Sequence, residues 1–283
     1  PAHLRPYQAK GVAWLGRLCE LGAHPLLADE MGLGKTVQVL ALLASRPIGE
    51  RSLIVCPASV IPVWLGEIKR FHPEMSAGVA VLTADEDFDT NPSAKLWISS
   101  YTQLRRHADL LAKTRFGYAV LDEAQAIKNP ESKTTQTCVS LQADHRIAIT
   151  GTPLENRPTD LWTIFRFLMP GLLGKRANFE RQMLRDPSIA LGKVRRQVSP
   201  FILRRLKRHV AADIPPKMEV VLPCPLTHEQ RALYQHLTQG SGLSGELARS
   251  AKDRAGEASA AGVNTTGAEF ALSLRDDDIQ DTS

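Results

Sequence analysis

Gly34, Lys35 and Thr36 put a flexible backbone, an ammonium group and a hydroxyl in consecutive positions between two apolar runs. Within LLADEMGLGKTVQVLALL, which begins at Leu26, they outline a phosphate-binding loop. In such a loop backbone N–H groups cradle phosphate oxygens, glycines allow close wrapping, and the following helix adds the positive end of its dipole. Gly32 and Gly34 supply the flexible positions, Lys35 can reach the β- and γ-phosphates of ATP, and Thr36 can hold Mg²⁺. The usual pattern opens on a glycine where this chain has Asp29. A strand–turn–helix corner without a ligand is the competing reading of the loop alone.

A second feature narrows the choice. YAVLDEAQ is an apolar strand ending in the adjacent carboxylates Asp122 and Glu123. Magnesium-dependent phosphoryl transfer to water needs one carboxylate near the metal and another to orient or deprotonate the water. Open α/β sheets place such groups at the C-terminal ends of strands. Acids complementing a helix N-terminus would account for one of the two, but not for the pair together with an upstream Gly-Lys-Thr. In AITGTPLEN, Thr150, Gly151 and Thr152 follow another buried strand. Their hydroxyls could couple a nucleotide site to a neighbouring surface; a simple turn at Pro153 is the alternative.

Short apolar runs must position these residues. PLLA from Pro25, SLIVCP from Ser52, VAVLT from Val79, KLWISS from Lys95, YAVLD from Tyr118 and RIAIT from Arg146 read as strands buried on both faces of a parallel sheet. Helical patterns at 35–45, 59–71, 102–113 and 131–141 lie between them. The alternation predicts an α/β fold with helices on both faces of the sheet. TDLWTIFRFLMPGLLG reads as a helix ended by Pro170 and Gly171, with arginine-rich helical pattern continuing through 175–211. The division is then a nucleotide-binding lobe over 1–154, a helical insertion over 155–211, a return to the lobe over 212–239, and a weakly ordered tail or linker over 240–283. In the return segment KMEVVLPCPL is strand-like, and THEQRALYQHL is a helix with Thr227 as N-cap.

The 283 residues carry 43% hydrophobic side chains, enough for a packed core, and a net charge of +5 that permits a nucleic-acid partner. Cys19, Cys56, Cys138 and Cys224 show no metal or redox spacing, and no apolar run reaches membrane length. A reducing intracellular compartment is expected, with no membrane partner. His228 and His236 fall on a helical pattern without ligand partners and read as solvated or capping residues. The chain opens on Pro1, as an excised or processed segment would.

DEMGLGKT, DEAQAIKN and TGTPLENRPTDLWTIFRFLMPGLLG resemble motifs I, II and III of the Swi/Snf-type ATPases of helicase superfamily two. An acidic residue at the Asp29 position is usual in that family. LRPYQAKGVAWL resembles its opening motif, whose glutamine, here Gln8, contacts adenine. LIVCPASVIPVWLGEIKRF resembles motif Ia and ISSYTQLRRH motif Ib. PFILRRLKRHVAADIPPKMEVVLPCPLTHEQRALY resembles the segment after the family's helical insertion, so the likeness covers about residues 3–237. It implies a RecA-like lobe of a DNA-dependent ATPase that tracks along duplex DNA without separating its strands. Motifs Ia and Ib then nominate Pro57, Ser59, Ser100 and Tyr101 for one strand's phosphates, with local capping or packing as the alternative. The pair Asp122–Glu123 becomes the metal ligand and water-positioning base. Gln125 stands where many members have histidine.

The family works with two lobes, and the second lobe's arginine motif is absent from this sequence, so a second RecA-like lobe is an expected partner. KVRRQVSPFILRRLKRH, from Lys193, contains no acid. Arg195 and Arg196 are candidates for DNA, and Arg204 and Arg205 for bracing the two lobes against each other, with DNA contact as the second reading; a solvated helix face is the ordinary alternative. The cargo implied is a nucleosome in a eukaryote, or RNA polymerase or another DNA-bound protein in a bacterium. The DEAQ form and compact insertion point to a bacterial cytoplasm or nucleoid. Competing functions are a nucleotide-gated binding module without turnover and a degenerate fragment; intact Lys35, Thr36, Asp122 and Glu123 speak against the latter.

Overall fold

The computed structural model describes residues 4–45, 51–151 and 158–210, with positions 227, 228, 230–232 and 234. Seven parallel strands form one sheet in the order β3-β4-β2-β5-β6-β1-β7. They are β1 (Leu26–Leu27), β2 (Ser52–Cys56), β3 (Val79–Leu82), β4 (Leu96–Ser100), β5 (Arg115–Leu121), β6 (Gln142–Ile149) and β7 (Ile202–Leu203). The six strands read from apolar runs all form. The helical pattern over 175–211 is interrupted by β7, which joins the sheet beside β1. Two residues of strand are too few to show an alternation of period two.

Consecutive strand residues serve opposite faces, and both faces are covered. Leu53 and Val55 of β2 and Ala119 and Leu121 of β5 enter one core, with Trp97, Phe116, Leu161 and Phe165. Ile54 and Cys56, with Val120, enter the other, with Leu15, Val39, Trp64 and Ile68. This two-sided burial is why the strands read as unbroken apolar runs. The second core is closed by α1 (Pro6–Glu20), α2 (Lys35–Ala44) and α3 (Ile61–Phe71). The first is closed by α4 (Tyr101–Arg106), α5 (Ala108–Lys113), α6 (Lys133–Ser140) and α7 (Pro158–Leu168).

Helix ends follow local chemistry. Ser132 caps α6 by accepting from Thr135 N at 3.2 Å. The stretch 102–113 divides at His107 into α4 and α5. α7 ends before Gly171, whose φ of 95° suits glycine. α8 (Arg176–Arg185) and α9 (Pro187–Val198) follow, the latter capped by Asp186, which accepts from Ile189 N at 3.1 Å. A four-residue helix, α10 (Lys207–Val210), follows β7. Thr227 caps the turn after it, accepting from Gln230 N at 3.2 Å while Gln230 Oε1 accepts from Thr227 N. Thr152, the alternation at 217–226, Cys224, His236 and the stretch from 240 lie outside the described residues. Cys19, Cys56 and Cys138 are buried free thiols. Among the described residues no helix is long and apolar enough to cross a membrane.

Candidate nucleotide site

The loop between β1 and α2 holds the left-handed turns its glycines allow: φ is 88° at Gly32 and 73° at Gly34. Gly34 has a second constraint, since a Cβ there would stand 2.4 Å from Gln8 Nε2. α2 begins with no acidic residue in its first turn and no side-chain cap. Its free N–H groups and dipole therefore face the loop without a local anion.

Lys35 folds back over the loop, donating to the carbonyls of Asp29 at 2.8 Å and Glu30 at 3.3 Å. Burial lowers its pKa; Asp29, Glu123 and Asp122 act against that shift. The ammonium thus lies within electrostatic reach of both carboxylates at the end of β5. A Cβ on Gly151, at the end of β6, would stand 3.4 Å from Lys35 Nζ, so the absence of a side chain there keeps the lysine's path open.

Asp122 is 7% exposed and fixed at both oxygens. The indole N–H of Trp64 donates to Oδ2 at 2.9 Å, and the Glu123 N–H donates to Oδ1 at 2.9 Å. Burial raises the Asp122 pKa, and these two hydrogen bonds oppose the rise. Glu123 has φ 49° and ψ 56°; among the described residues it is the one non-glycine in the left-handed region. That conformation costs on the order of 1–3 kcal/mol and is characteristic of functional sites. Its carboxylate accepts from Gln125 Nε2 at 2.7 Å, and Gln125 Oε1 accepts from the Thr150 hydroxyl at 3.0 Å. Thr150, Gln125 and Glu123 therefore form one hydrogen-bonded chain linking the end of β6 to the end of β5.

Gln8 lies at the first turn of α1 and donates from Nε2 to Leu33 O at 3.2 Å, while Tyr7 donates its hydroxyl to the same oxygen at 3.3 Å. Asp29 is fully buried and paired with Arg205. Arg205 N and Nε each donate to Asp29 Oδ1 at 3.0 Å; Nη2 donates to Asp29 Oδ2 and, at 2.7 Å, to Gln38 Oε1, and Nη1 to Tyr7 O. The acid in place of the loop's first glycine is the counterion of a buried arginine from the far side of β7.

A bracing role was expected of Arg205; among the described residues its guanidinium is buried within this lobe, where it holds Asp29 at the start of the loop. Arg204 is half-buried. Ser100 and Tyr101 are likewise turned to local work. Ser100 is 6% exposed and caps α4, accepting from Gln103 N at 3.1 Å. Tyr101 donates its hydroxyl to Asp122 O at 2.7 Å, and burial pushes its phenol well above the ordinary value. Ser59 is exposed and Pro57 half-buried after β2. Arg196 is exposed and Arg195 half-buried on α9. Sequence reasoning missed Trp64, Gln38 and Tyr7. Gln38 left a signal, as a polar residue on the apolar side of α2; Trp64 left none beyond the rule that a buried indole N–H seeks a partner.

Among the described residues no three His, Cys, Asp or Glu side chains gather into a metal cage. Mg²⁺ is commonly held by one or two protein oxygens, substrate phosphates and water. The Asp122 carboxylate and the Thr36 hydroxyl fit that minimal set.

Comparison with known proteins agrees with this geometry. The family model described as SNF2-related domain matches residues 7–276. The chain is 33% identical over 280 residues to the TATA-binding protein-associated factor mot1 of Schizosaccharomyces pombe, covering 87% of this chain and 14% of that protein. It is 39% identical over 241 residues to an ATP-dependent helicase of Mycoplasma pneumoniae, covering 82% of this chain and 23% of that protein. The SWI2/SNF2 ATPase core of Sulfolobus solfataricus, solved in complex with dsDNA, superposes with a TM-score of 0.69 at 36% identity, over 84% of this chain and 52% of that one. The chain thus spans a minor part of these curated relatives' length and about half of the solved core. With the family model matching residues 7–276 and the fold of a solved core, the chain belongs to the SNF2-related domain family of Swi/Snf-type ATPases.

Proposed function

We propose that this chain is the ATP-binding lobe of a DNA-dependent ATPase that moves along duplex DNA. The observation that carries the reading is Lys35, set on the phosphate loop and within electrostatic reach of Asp122 and Glu123 at the neighbouring strand ends. Lys35 and the first-turn amides of α2 bind the phosphates, and Gln8 and Tyr7, held against Leu33 and Gly34 where the loop enters α2, are placed to read an adenine. Thr36 and Asp122 would hold Mg²⁺, which supplies charge neutralisation on the phosphate oxygens when bound. Glu123 orients the attacking water and accepts its proton. The chain Glu123–Gln125–Thr150 transmits the state of that carboxylate to the end of β6 and to Gly151 and Thr152.

Duplex DNA is the track, supported by the dsDNA in the similar solved core. Ser59, Pro57, Arg195 and Arg196 are the candidates for its phosphates. A second lobe completes the reaction, and a DNA-bound protein is the class of cargo, which the name of the mot1 relative supports. The test is equilibrium titration with a fluorescent ATP analogue. Lys35→Ala loses a charged hydrogen bond of roughly 1.5–3 kcal/mol, so affinity should fall about 10–100-fold. Unchanged affinity means the loop is only a turn.

A further inference from the structure

The loop is flanked by a second lysine. β7 runs parallel to β1, and its continuation stays hydrogen-bonded to the start of the loop. Ala28 N donates to Leu203 O at 2.8 Å, Glu30 N donates to Arg205 O at 3.0 Å, and Lys207 N donates to Glu30 Oε2 at 2.7 Å. Residues 203, 205 and 207 thus meet the segment from Ala28 to Glu30 in step. Arg205 turns into the buried cluster with Asp29, while Lys207 reaches forward over the loop. Its Cε and Nζ both lie 3.2 Å from where a Cβ on Gly32 would stand. Gly32 is therefore constrained twice, by its left-handed φ of 88° and by the lysine lying across it.

Asp29, Asp122 and Glu123 favour a charged Lys35, but Asp29 is already paired with Arg205 and the other two stand at the end of β5. Lys207 acts on Lys35 as a like charge, and among the described residues its ammonium makes no hydrogen bond or ion pair. Lys35 itself donates to neutral carbonyls. α2 adds its uncapped N-terminus between them. Two ammonium groups and a helix dipole converging on one glycine-rich turn repel each other unless an anion lies between. We propose that Lys207 is a second phosphate-binding lysine, which holds the polyphosphate of the nucleotide from the β7 side opposite Lys35. The inference rests on the nucleotide reading of the loop and adds a residue to it. Because Lys207 is carried by the same strand extension as Arg205, the grip also ties the β7–α10 segment to nucleotide occupancy.

The experiment is competition of ATP, and separately of adenosine, against a fluorescent ATP analogue on the 283-residue chain. Wild type, Lys207→Gln, Lys207→Arg and Lys35→Ala are compared, with thermal unfolding of each. Loss of one charge-assisted contact should weaken ATP about tenfold or more in Lys207→Gln. Adenosine affinity should be unchanged, and Lys207→Arg should recover most of the loss. Wild-type binding that Lys35→Ala weakens and Lys207→Gln does not would overturn the proposal while leaving the nucleotide reading intact. Parallel losses for ATP and adenosine in Lys207→Gln would overturn it too, as an effect on the fold. A wild-type chain that binds no ATP removes both.

Discussion

Trp64 donates its one hydrogen-bonding group to Asp122. The indole is fully buried on α3, the helix that follows β2, and the carboxylate ends β5, so the contact joins α3 to the strand-end carboxylate proposed to hold Mg²⁺. Trp64→Phe keeps most of the apolar volume and deletes the donor. A hydrogen bond to a charged group contributes about 1.5–3 kcal/mol, so the variant should unfold in urea with roughly that loss at neutral pH. Its Mg²⁺ requirement for tight nucleotide binding should also rise several-fold, because Oδ2 is no longer held. An unmoved Mg²⁺ midpoint with lowered stability would reduce Trp64 to packing. At this scale the sequence is uneven in what it reveals. Lys35, Asp122 and Glu123 are legible because loop chemistry and strand-end carboxylates have fixed spacings. The Trp64 partner is not, since it lies 58 residues away and no local pattern encodes a pairing made by two neighbouring strands.

At the scale of elements, β1 is a two-residue strand held on one side by β6 and on the other by β7. Asp29 follows it after Ala28, and the Asp29–Arg205 pair secures the joint from within, with Gln38 from α2 and Tyr7 from α1. Gly11 makes room: a Cβ there would stand 2.0 Å from Gln38 Oε1 and 2.8 Å from Arg205 Nη2. Asp29→Gly would restore the commoner loop pattern, yet it strands a buried guanidinium. Removing one partner of a buried pair costs about 3–5 kcal/mol, so the change should sharply lower the urea midpoint. Combining it with Arg205→Met should recover part of the loss. If the single change is neutral, the pair is not holding the joint. The six strands β1 to β6 were legible because burial on both faces makes unbroken apolar runs. β7 was hidden because its two apolar residues, Ile202 and Leu203, run straight into the basic stretch RRLKRH, and the sheet partner that selects them lies far upstream.

For the whole molecule, His24 is a point where acid enters the balance. It sits in the connection from α1 to β1 and accepts from Arg146 N at 3.1 Å. Arg146 in turn donates to Phe167 O at 2.7 Å and Leu141 O at 2.6 Å, so the site joins β6 to the end of α7. Burial, with Arg146 and His145 nearby, lowers the His24 pKa from 6.5 to about 4. The native state then stays neutral where the unfolded chain takes a proton. Its contribution is intact above pH 6.5 and is lost progressively as pH falls towards about 4. Urea midpoints at pH 7 and pH 5 should therefore differ less in His24→Asn, which keeps an acceptor but cannot titrate, than in wild type. Equal shifts in both would clear His24 of the effect. The joint between β1 and β7 has a further consequence, for a nascent chain. Leu203 pairs with Leu27, so 176 residues of chain (203 − 27) separate them. At roughly 5–20 residues per second the strand bearing the phosphate loop waits about 9–35 s on the ribosome for its outer neighbour. Asp29 is made early and its arginine late. Through that interval a carboxylate destined for full burial must remain in water, so the loop completes its cradle only after the emerging polypeptide has delivered Arg205.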